Sequence, residues 1–283
     1  MSIHVCPWLE SGVLAIIHED DDLMVVNKPA GLVCHPTKNG EMSSLVGRAR
    51  LYLGANPPTP TSNSETPDPR PDMPRPYLIN RLDRETSGIV LIAKSSAVAG
   101  ELGKALENRL VEKEYLAIVH GHVKEDHGTI DAALGKDECS IVAVKDCVRP
   151  DGAAARTEYF VEKRFGRVIS GPGTLNVGPE THSQPFSLLR VIPHTGRKHQ
   201  IRIHLAYIGH PIVGDKLYGG DEDCYLALAQ DRLTDAQRAK LILENHALHA
   251  QKIRFPWRGK SAEFSCEPEN EFKTFFDTGA DLR

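Results

Sequence analysis

The segment Asn80-Arg81-Leu82-Asp83-Arg84-Glu85-Thr86-Ser87-Gly88 runs directly into the apolar stretch Ile89-Val-Leu-Ile-Ala93. A short apolar run that follows a glycine is typical of a buried strand. The charged side chains before it cannot enter a core unpaired without costing several kcal/mol. We therefore expect a loop at the entrance of a strand, where catalytic groups are often carried. From these residues alone, an exposed turn held by surface ion pairs is the simpler interpretation.

Outward from this segment, the apolar pattern predicts an α+β fold. Leu23–Asn27 has the composition of a buried strand, and Ser95 or Ser96 is suited to cap a helix that ends near Asn108. Further strands are predicted at 115–120, 157–163, 186–192 and 247–255, and further helices at 42–53, 198–208 and 231–244. Because strands and helices do not alternate as regular βαβ units, we expect a large mixed or antiparallel sheet flanked by helices.

The pattern also predicts the domain organisation. Residues 1–12 form a loose leader, and one domain extends over 13–283. The proline-rich segment 57–76 contains too few apolar residues to order itself, so we expect an exposed loop within this domain.

Composition excludes several classes of protein. The chain has 283 residues, of which 40% are hydrophobic and 25% are charged, as in soluble globular proteins. No apolar run approaches the roughly 18 residues of a membrane span, and no secretory signal is evident. The six cysteines contain no C-x-x-C pair, which favours free thiols in a reducing compartment, the cytoplasm. The 13 histidines include no H-E-x-x-H motif, so we expect no metal site.

Charge is distributed unevenly along the chain. The net charge of −4 gives the whole protein no attraction for polyanions. Residues 190–214, however, contain no Asp or Glu, and they carry the basic residues Arg190, Arg197, Lys198 and Arg202. A surface without carboxylates is suited to bind phosphate, although a solvated helix face would have the same composition.

The helix predicted at 198–208 lies within this basic segment. Ile201, Leu205 and Ile208 are spaced to form one narrow buried stripe, with Arg202 at its edge. Arg197 and Lys198 lie at the helix start, where free amide groups and the helix dipole favour phosphate. Arg202 could reach a carboxylate such as Asp83 and keep it ionised.

Five segments, in this order, resemble the RluA-type branch of the pseudouridine synthases. They are Lys28–Leu32 with His35-Pro36, Arg81–Gly88, Lys113–Ala117, Thr195–His204 and Gly209–Asp215. The resemblance extends from about residue 13 to 256. It implies the pseudouridine synthase fold, a single catalytic domain with a central cleft. It also implies an enzyme without a cofactor that isomerises uridines in transfer or ribosomal RNA. The sequence carries no signal for the oligomeric state, so a monomer with no obligate protein partner is the default expectation.

The resemblance assigns roles to individual residues. Asp83 matches the catalytic aspartate, and Arg81 matches the residue that enters the RNA stack when the target uridine is flipped out. Tyr115 matches the tyrosine that stacks on the flipped base. Arg202 matches the arginine that pairs with the catalytic carboxylate, and Ile201 the apolar residue beside it.

Some chemistry stays open from the sequence. Asp83 could attack C1′ or the base as a nucleophile, or it could take the 2′ proton as a base. The chain departs from the family pattern at Asn80, where His is frequent, and at Cys34, where Val is usual. The dozen residues before the core leave no room for an N-terminal S4-like RNA-binding module, so target recognition is expected from the catalytic domain.

Two other functions fit the same residues. A nucleoside or glycoside hydrolase could use Asp83 and Glu85 as a pair of carboxylates. A non-catalytic RNA-binding protein could retain the fold without the reaction.

Overall fold

Residues 14–36, 41–55, 75–169, 183–277 and 280–281 are described by the structure, a computed structural model. In chain order the strands are β1 (Ala15–Glu19), β2 (Leu23–Lys28), β3 (Tyr77–Leu78), β4 (Ser87–Ala93), β5 (Glu112–His120), β6 (His127–Asp131), β7 (Leu134–Lys136), β8 (Asp146–Val148), β9 (Arg156–Val168), β10 (Ser183–Pro193), β11 (Leu248–Trp257), β12 (Lys260–Ser265) and β13 (Ala280–Asp281). The helices are α1 (Leu45–Ala55), α2 (Ser96–Glu107), α3 (Gln200–Tyr207), α4 (Asp223–Ala229), α5 (Asp235–Leu241) and α6 (Asn270–Asp277). The predicted leader and the proline-rich segment as far as residue 74 lie outside the described residues.

The chain divides into two compact units, each made of two chain segments. The first unit comprises 1–111 and 251–267, and the second comprises 112–250 and 268–283. Strand β11 begins in the second unit and continues into the first. The single catalytic domain over 13–283 and its central cleft stay predictions.

The first unit is built on β4, whose seven residues are all buried. Its strands follow the order β1-β2-β4-β11, with β3 also paired to β4 and β12 to β11. Helix α2 packs Val98 and Leu102 against Ile89 and Leu91 of β4. As predicted, a serine caps this helix: the Ser95 hydroxyl accepts a hydrogen bond from the Val98 amide (3.3 Å).

The second unit contains the strand order β5-β10-β9-β13, with β6 paired to β9, and a separate β7-β8 pair. Its core includes the rings of Phe165, Phe186 and Phe275, whose centroids lie 5.1 to 6.1 Å apart. Ile201 and Leu205 of α3 pack into the same cluster. Helix α3 is therefore fixed by the core of this unit.

The α+β class and the mainly antiparallel pairing are confirmed. Every strand pair whose register is described is antiparallel. No helix in the described ranges is long and apolar enough to cross a membrane.

The helix predicted over 231–244 is wrong in extent. Helix α5 spans only Asp235–Leu241. It begins after Thr234, whose hydroxyl accepts a hydrogen bond from the Gln237 amide (3.2 Å). It ends because Ile242 adopts a positive φ of 71°. Local capping and backbone conformation, rather than the apolar pattern, set both boundaries.

Candidate functional site

The loop over residues 79–86, hereafter the Asp83 loop, connects β3 to β4 in the first unit. The buried side chain of Asn80 fixes its beginning: Nδ2 donates to the carbonyl of Ile89 (3.0 Å), and Oδ1 accepts from the amide of Leu91 (2.8 Å). Asn80 thus continues the pairing with β4 after β3 has ended. Just after the loop, Gly88 has a φ of 115°, which a residue with a Cβ adopts only under strain.

Cys34 holds the middle of the loop through the main chain of Leu82. The thiol donates to the carbonyl of Leu82 (3.3 Å), and the sulfur accepts from the amide of the same residue (3.4 Å). Both side chains are buried. Burial raises the pKa of the Cys34 thiol, so it stays protonated and able to donate. The main chain between Arg81 and Asp83 is therefore fixed.

Lys28 and Arg84 tie the loop to the turn after β2. The Lys28 side chain is fully buried. Its ammonium donates to three main-chain carbonyls, those of Pro29 (2.9 Å), Leu32 (2.8 Å) and Arg84 (3.1 Å). Arg84 returns a bond from Nε to the carbonyl of Gly31 (3.2 Å). The carbonyl oxygens around the ammonium offset the cost of burying its charge.

Asp83 lies between these contacts with a half-buried side chain. Its carbonyl accepts the amide of Thr86 (3.2 Å), which closes a turn. Arg81 lowers and Asp83 raises the pKa of the Cys34 thiol, so both charges lie near that residue. Arg81 is exposed, and its guanidinium has no hydrogen bond or ion pair to another residue of the described ranges. The first unit thus presents a carboxylate on a fixed main chain beside an available guanidinium.

In the second unit, α3 begins two residues later than predicted. The sequence favours a start at Lys198, but His199 adopts a left-handed conformation with φ 55°, and the helix begins at Gln200. The Gln200 side chain stabilises the preceding turn, since Oε1 accepts from the Thr195 hydroxyl (2.6 Å) and from the Arg197 amide (3.0 Å). One of the amides expected to be free for phosphate is therefore already bonded.

Arg197 and Lys198, the predicted phosphate contacts, are both exposed. Arg197 donates from Nε to the carbonyl of Ala154 (3.2 Å) and pairs with no carboxylate in the part of the chain that is described. Lys198 pairs with Asp146, with Nζ 2.9 Å from Oδ2. The charge of Arg197 is thus more available to an anion than that of Lys198.

Arg202 is buried rather than placed at the edge of a narrow stripe, because all residues from Gln200 to Leu205 are buried. Its Nε lies 2.7 Å from Oδ2 of Asp215, and its Nη2 lies 2.9 Å from Oδ1. Side-chain exposure is 8% for Arg202 and 0% for Asp215. Burial alone would raise the pKa of Asp215, but the guanidinium outweighs it and holds this pKa well below its usual range. The pair is therefore ionised at neutral pH.

Tyr218 covers the guanidinium of Arg202. The guanidinium carbon lies 5.0 Å from the ring centroid. The tyrosine hydroxyl lies 2.9 Å from Nδ1 of His199 and accepts the amide of Asp146 (3.3 Å). Burial raises the pKa of Tyr218, so the hydroxyl stays neutral. The cation is thus confined by a ring on one side and by a carboxylate at its edge.

Tyr115 and Ile201 both belong to the second unit. Tyr115 lies on β5 opposite Val191 of β10, is half-buried and packs against the core cluster that contains Ile201. Ile201 is 7% exposed. The structure therefore brings Tyr115, Ile201 and Arg202 together in one unit, and Asp83 and Arg81 together in the other.

Three residues around these sites receive no role from the sequence, although Lys28 and Asp215 lie within the quoted segments and Cys34 is a noted departure from the family pattern. Lys28 and Cys34 hold the Asp83 loop, and Asp215 holds Arg202. A signal for Asp215 was available: it is the first acidic residue after the acid-free segment 190–214, so it is the nearest carboxylate in sequence that could neutralise that segment. Within the described ranges, no group of three His, Cys, Asp or Glu side chains could hold a metal ion.

Comparisons with known proteins indicate the same family as the sequence motifs. A family model described as RNA pseudouridylate synthase matches residues 22–207. The chain is 32% identical over 263 residues to an uncharacterized RNA pseudouridine synthase of Aquifex aeolicus, covering 92% of this chain and 71% of that protein. It is 33% identical over 253 residues to ribosomal large subunit pseudouridine synthase D of Vibrio cholerae, covering 89% and 66%.

A solved structure adds a comparison of the fold. Human RNA pseudouridylate synthase domain containing 1 is similar with a TM-score of 0.64 and 24% identity, over 95% of this chain and 89% of that chain. At this identity the likeness concerns the fold alone.

Proposed function

The chain belongs to the RNA pseudouridylate synthase family, and on that premise we propose that Asp83 is the carboxylate with which it acts on uridine. The protein is an RNA pseudouridine synthase, an isomerase. The two-carboxylate hydrolase and the non-catalytic binding protein are therefore set aside. The reaction breaks the bond between N1 and C1′, turns the base and joins C5 to C1′, while C5 loses a proton and N1 gains one. Because the product is an isomer of the substrate, this balance needs no oxidant or reductant.

The observation that supports Asp83 most strongly is the fixation of its loop. Cys34 and Lys28 bond through their side chains to the main chain of Leu82 and of Arg84, the residues on either side of Asp83. Asn80, at the start of the loop, bonds through its side chain to the main chain of β4. A carboxylate that attacks a carbon or removes a proton gains most from a position set before the substrate arrives. The partial exposure of Asp83 leaves its oxygens accessible to a nucleotide.

We assign the remaining residues to the handling of a flipped nucleotide. The exposed guanidinium of Arg81 can enter the space that the uridine leaves and offset part of an extrusion cost of a few kcal/mol. Tyr115 stacks on the flipped base, with Ile201 as the apolar residue beside it. Arg202 pairs with the carboxylate of Asp83 and keeps it ionised.

The substrate of this site is a uridine of transfer or ribosomal RNA. Four relatives bear the name ribosomal large subunit pseudouridine synthase D, which favours ribosomal RNA as the first substrate to test. Arg197 and Lys198 contact phosphates, and Arg197 contributes more because Lys198 already pairs with Asp146. The enzyme acts as a monomer in the cytoplasm, without an obligate protein partner.

The test is the replacement Asp83→Asn, with Glu85→Gln as the matched control in the same loop. We expect Asp83→Asn to abolish pseudouridine formation in RNA while RNA affinity stays within about tenfold, because phosphate contacts are unchanged. Glu85→Gln should retain turnover. Pseudouridine is mapped in RNA from cells with and without the protein. The RNA that carries the protein-dependent pseudouridine, prepared from cells without the protein, then serves as the substrate in vitro.

Two outcomes would contradict the assignment. Normal turnover by Asp83→Asn would remove Asp83 from the reaction. Loss of turnover in Glu85→Gln, with the fold intact by circular dichroism, would show that Asp83 is not the one essential carboxylate of this loop.

A further inference from the structure

The ion pair between Arg202 and Asp215 has a geometry that determines where the guanidinium points. Asp215 binds the edge formed by Nε and Nη2, at 2.7 and 2.9 Å. Because the guanidinium is planar and rigid, two parallel bonds on this edge fix its plane and direct Nη1 away from Asp215. A single hydrogen bond would leave the group free to rotate. The pairing therefore sets an orientation as well as a charge balance.

The Asp215 carboxylate is itself held by the main chain. Its Oδ1 also accepts the amides of Leu217 (2.9 Å) and Tyr218 (3.0 Å). The preceding residue, Gly214, has a φ of 81°, and a Cβ there would lie 2.7 Å from the carbonyl oxygen of Asn245. The turn that carries Asp215 is therefore closely packed, and the carboxylate has little freedom to follow a movement of Arg202.

Stability alone does not account for a buried pair of this kind. Replacing a buried ion pair by apolar side chains is often neutral or stabilises a protein by about 1–4 kcal/mol. The Tyr218 ring, 5.0 Å from the guanidinium, confines the cation further. Forming these contacts costs free energy, because charged groups lose their hydration and side chains lose conformational entropy. In return, the contacts fix the direction in which the N–H groups of Arg202 that do not bind Asp215 point.

We propose that Asp215 is a positioning residue of the pseudouridylation site, which acts only by holding the Arg202 guanidinium in the orientation that serves the catalytic carboxylate. This inference rests on the proposed function, since it takes Arg202 as the partner of Asp83. A displacement of about 1 Å at a reacting centre can cost about 100-fold in rate. Loss of the two parallel bonds should therefore lower the rate of the chemical step with little effect on RNA binding.

The test is a double-mutant cycle on the full chain, with Asp215→Asn, Arg202→Lys and the combined variant. Rates of pseudouridine formation are measured with enzyme in excess over an RNA that the wild type modifies. We expect Asp215→Asn alone to lower this rate about 100-fold with the Kd for RNA within about threefold. In the Arg202→Lys protein, which lacks the planar group that Asp215 orients, adding Asp215→Asn should change the rate less than about threefold.

A second variant separates orientation from charge balance. Asp215→Glu retains the negative charge but moves the carboxylate by one methylene group, so it should fold by circular dichroism and still react at least about tenfold more slowly. A wild-type rate in folded Asp215→Glu or Asp215→Asn would overturn the proposal. Equal losses from Asp215→Asn in the wild-type protein and in the Arg202→Lys protein would also overturn it, because the effect would not pass through Arg202.

These results are distinguishable from failure of the proposed function itself. If Asp83→Asn retains turnover, the assignment of the catalytic carboxylate fails. If Asp83→Asn is inactive and the cycle is additive, only the role of Asp215 fails.

Discussion

The Asp83 loop and helix α3 hold their charged residues in opposite ways. In the loop, the side chains of Cys34 and Lys28 bond to the main chain on either side of Asp83, and the carboxylate itself stays half-exposed. In α3, Arg202 is buried, and another charge, Asp215, fixes the side chain directly. The first arrangement spreads its energy over several moderate hydrogen bonds, whereas the second concentrates it in one pair. We therefore expect the two regions to respond differently to substitution.

The largest effect on stability should follow from breaking the buried pair. Arg202→Met leaves the Asp215 carboxylate buried without its cation, which should lower the free energy of unfolding by about 3–5 kcal/mol at pH 7. The double variant Arg202→Met with Asp215→Leu should recover most of this loss, because no charge remains buried. Urea unfolding of the three proteins measures both effects. A loss below about 1 kcal/mol in Arg202→Met would show that the pair is not the dominant contact of this region.

The pH dependence gives an independent check of the same variant. In the wild type, the pKa of Asp215 lies below its unfolded value, so its contribution to stability is present above about pH 4 and is lost as pH falls further. In Arg202→Met, burial without the cation raises this pKa, so stability should increase as the pH falls from 7 towards 4. The difference between the two proteins should therefore shrink with acidification.

A smaller effect is expected in the Asp83 loop. Asn80→Ala leaves the amide of Leu91 and the carbonyl of Ile89 without their partner, which should cost about 1–3 kcal/mol. The matched control is Asn108→Ala at the exposed end of α2, which should stay within about 0.5 kcal/mol of the wild type. If both variants unfold at the same urea concentration, the hydrogen bonds from the Asn80 side chain to the main chain of β4 contribute less to the free energy of unfolding than their geometry indicates.

The smallest effect concerns the exposed start of α3. Arg197→Ala with Lys198→Ala should flatten the slope of log affinity for RNA against log salt by up to about 2. Arg197→Ala alone should account for most of the change, because Lys198 pairs with Asp146. Lys124→Ala, an exposed lysine of the same unit, serves as control. An unchanged slope in the double variant would remove this turn from the RNA-binding surface.

Strands and helices whose limits depend on residues close in sequence could be predicted well. The apolar run at 89–93 predicts β4, and Ser95 predicts the start of α2. The start of α3 could not be predicted in the same way. A left-handed His199 and the bonds of Gln200 to Thr195 and Arg197 move it, and neither has a periodic signature.

Burial of charge was the feature least accessible from the sequence. A lysine before a Pro-Ala-Gly turn is ordinarily exposed, because burying its charge is costly. Lys28 is nevertheless fully buried, since carbonyls of two separate segments surround its ammonium. Arg202 was recognised through the motif that contains it, but its bond to Asp215 depends on how the turn after α3 folds back. The roles of Asp83, Arg81, Tyr115 and Ile201 stay predictions that the experiments above address.

The division of each unit into two chain segments has a consequence for biosynthesis. Ile253 and Phe255, which complete the core of the first unit, follow the 139 residues 112–250 of the second in the chain. On a translating ribosome, the segment with the Asp83 loop must therefore wait until that stretch has emerged before its hydrophobic core can close. During this interval the apolar face of β4 lacks two of its partners, and apolar surface that is exposed in this way makes a folding chain prone to aggregation.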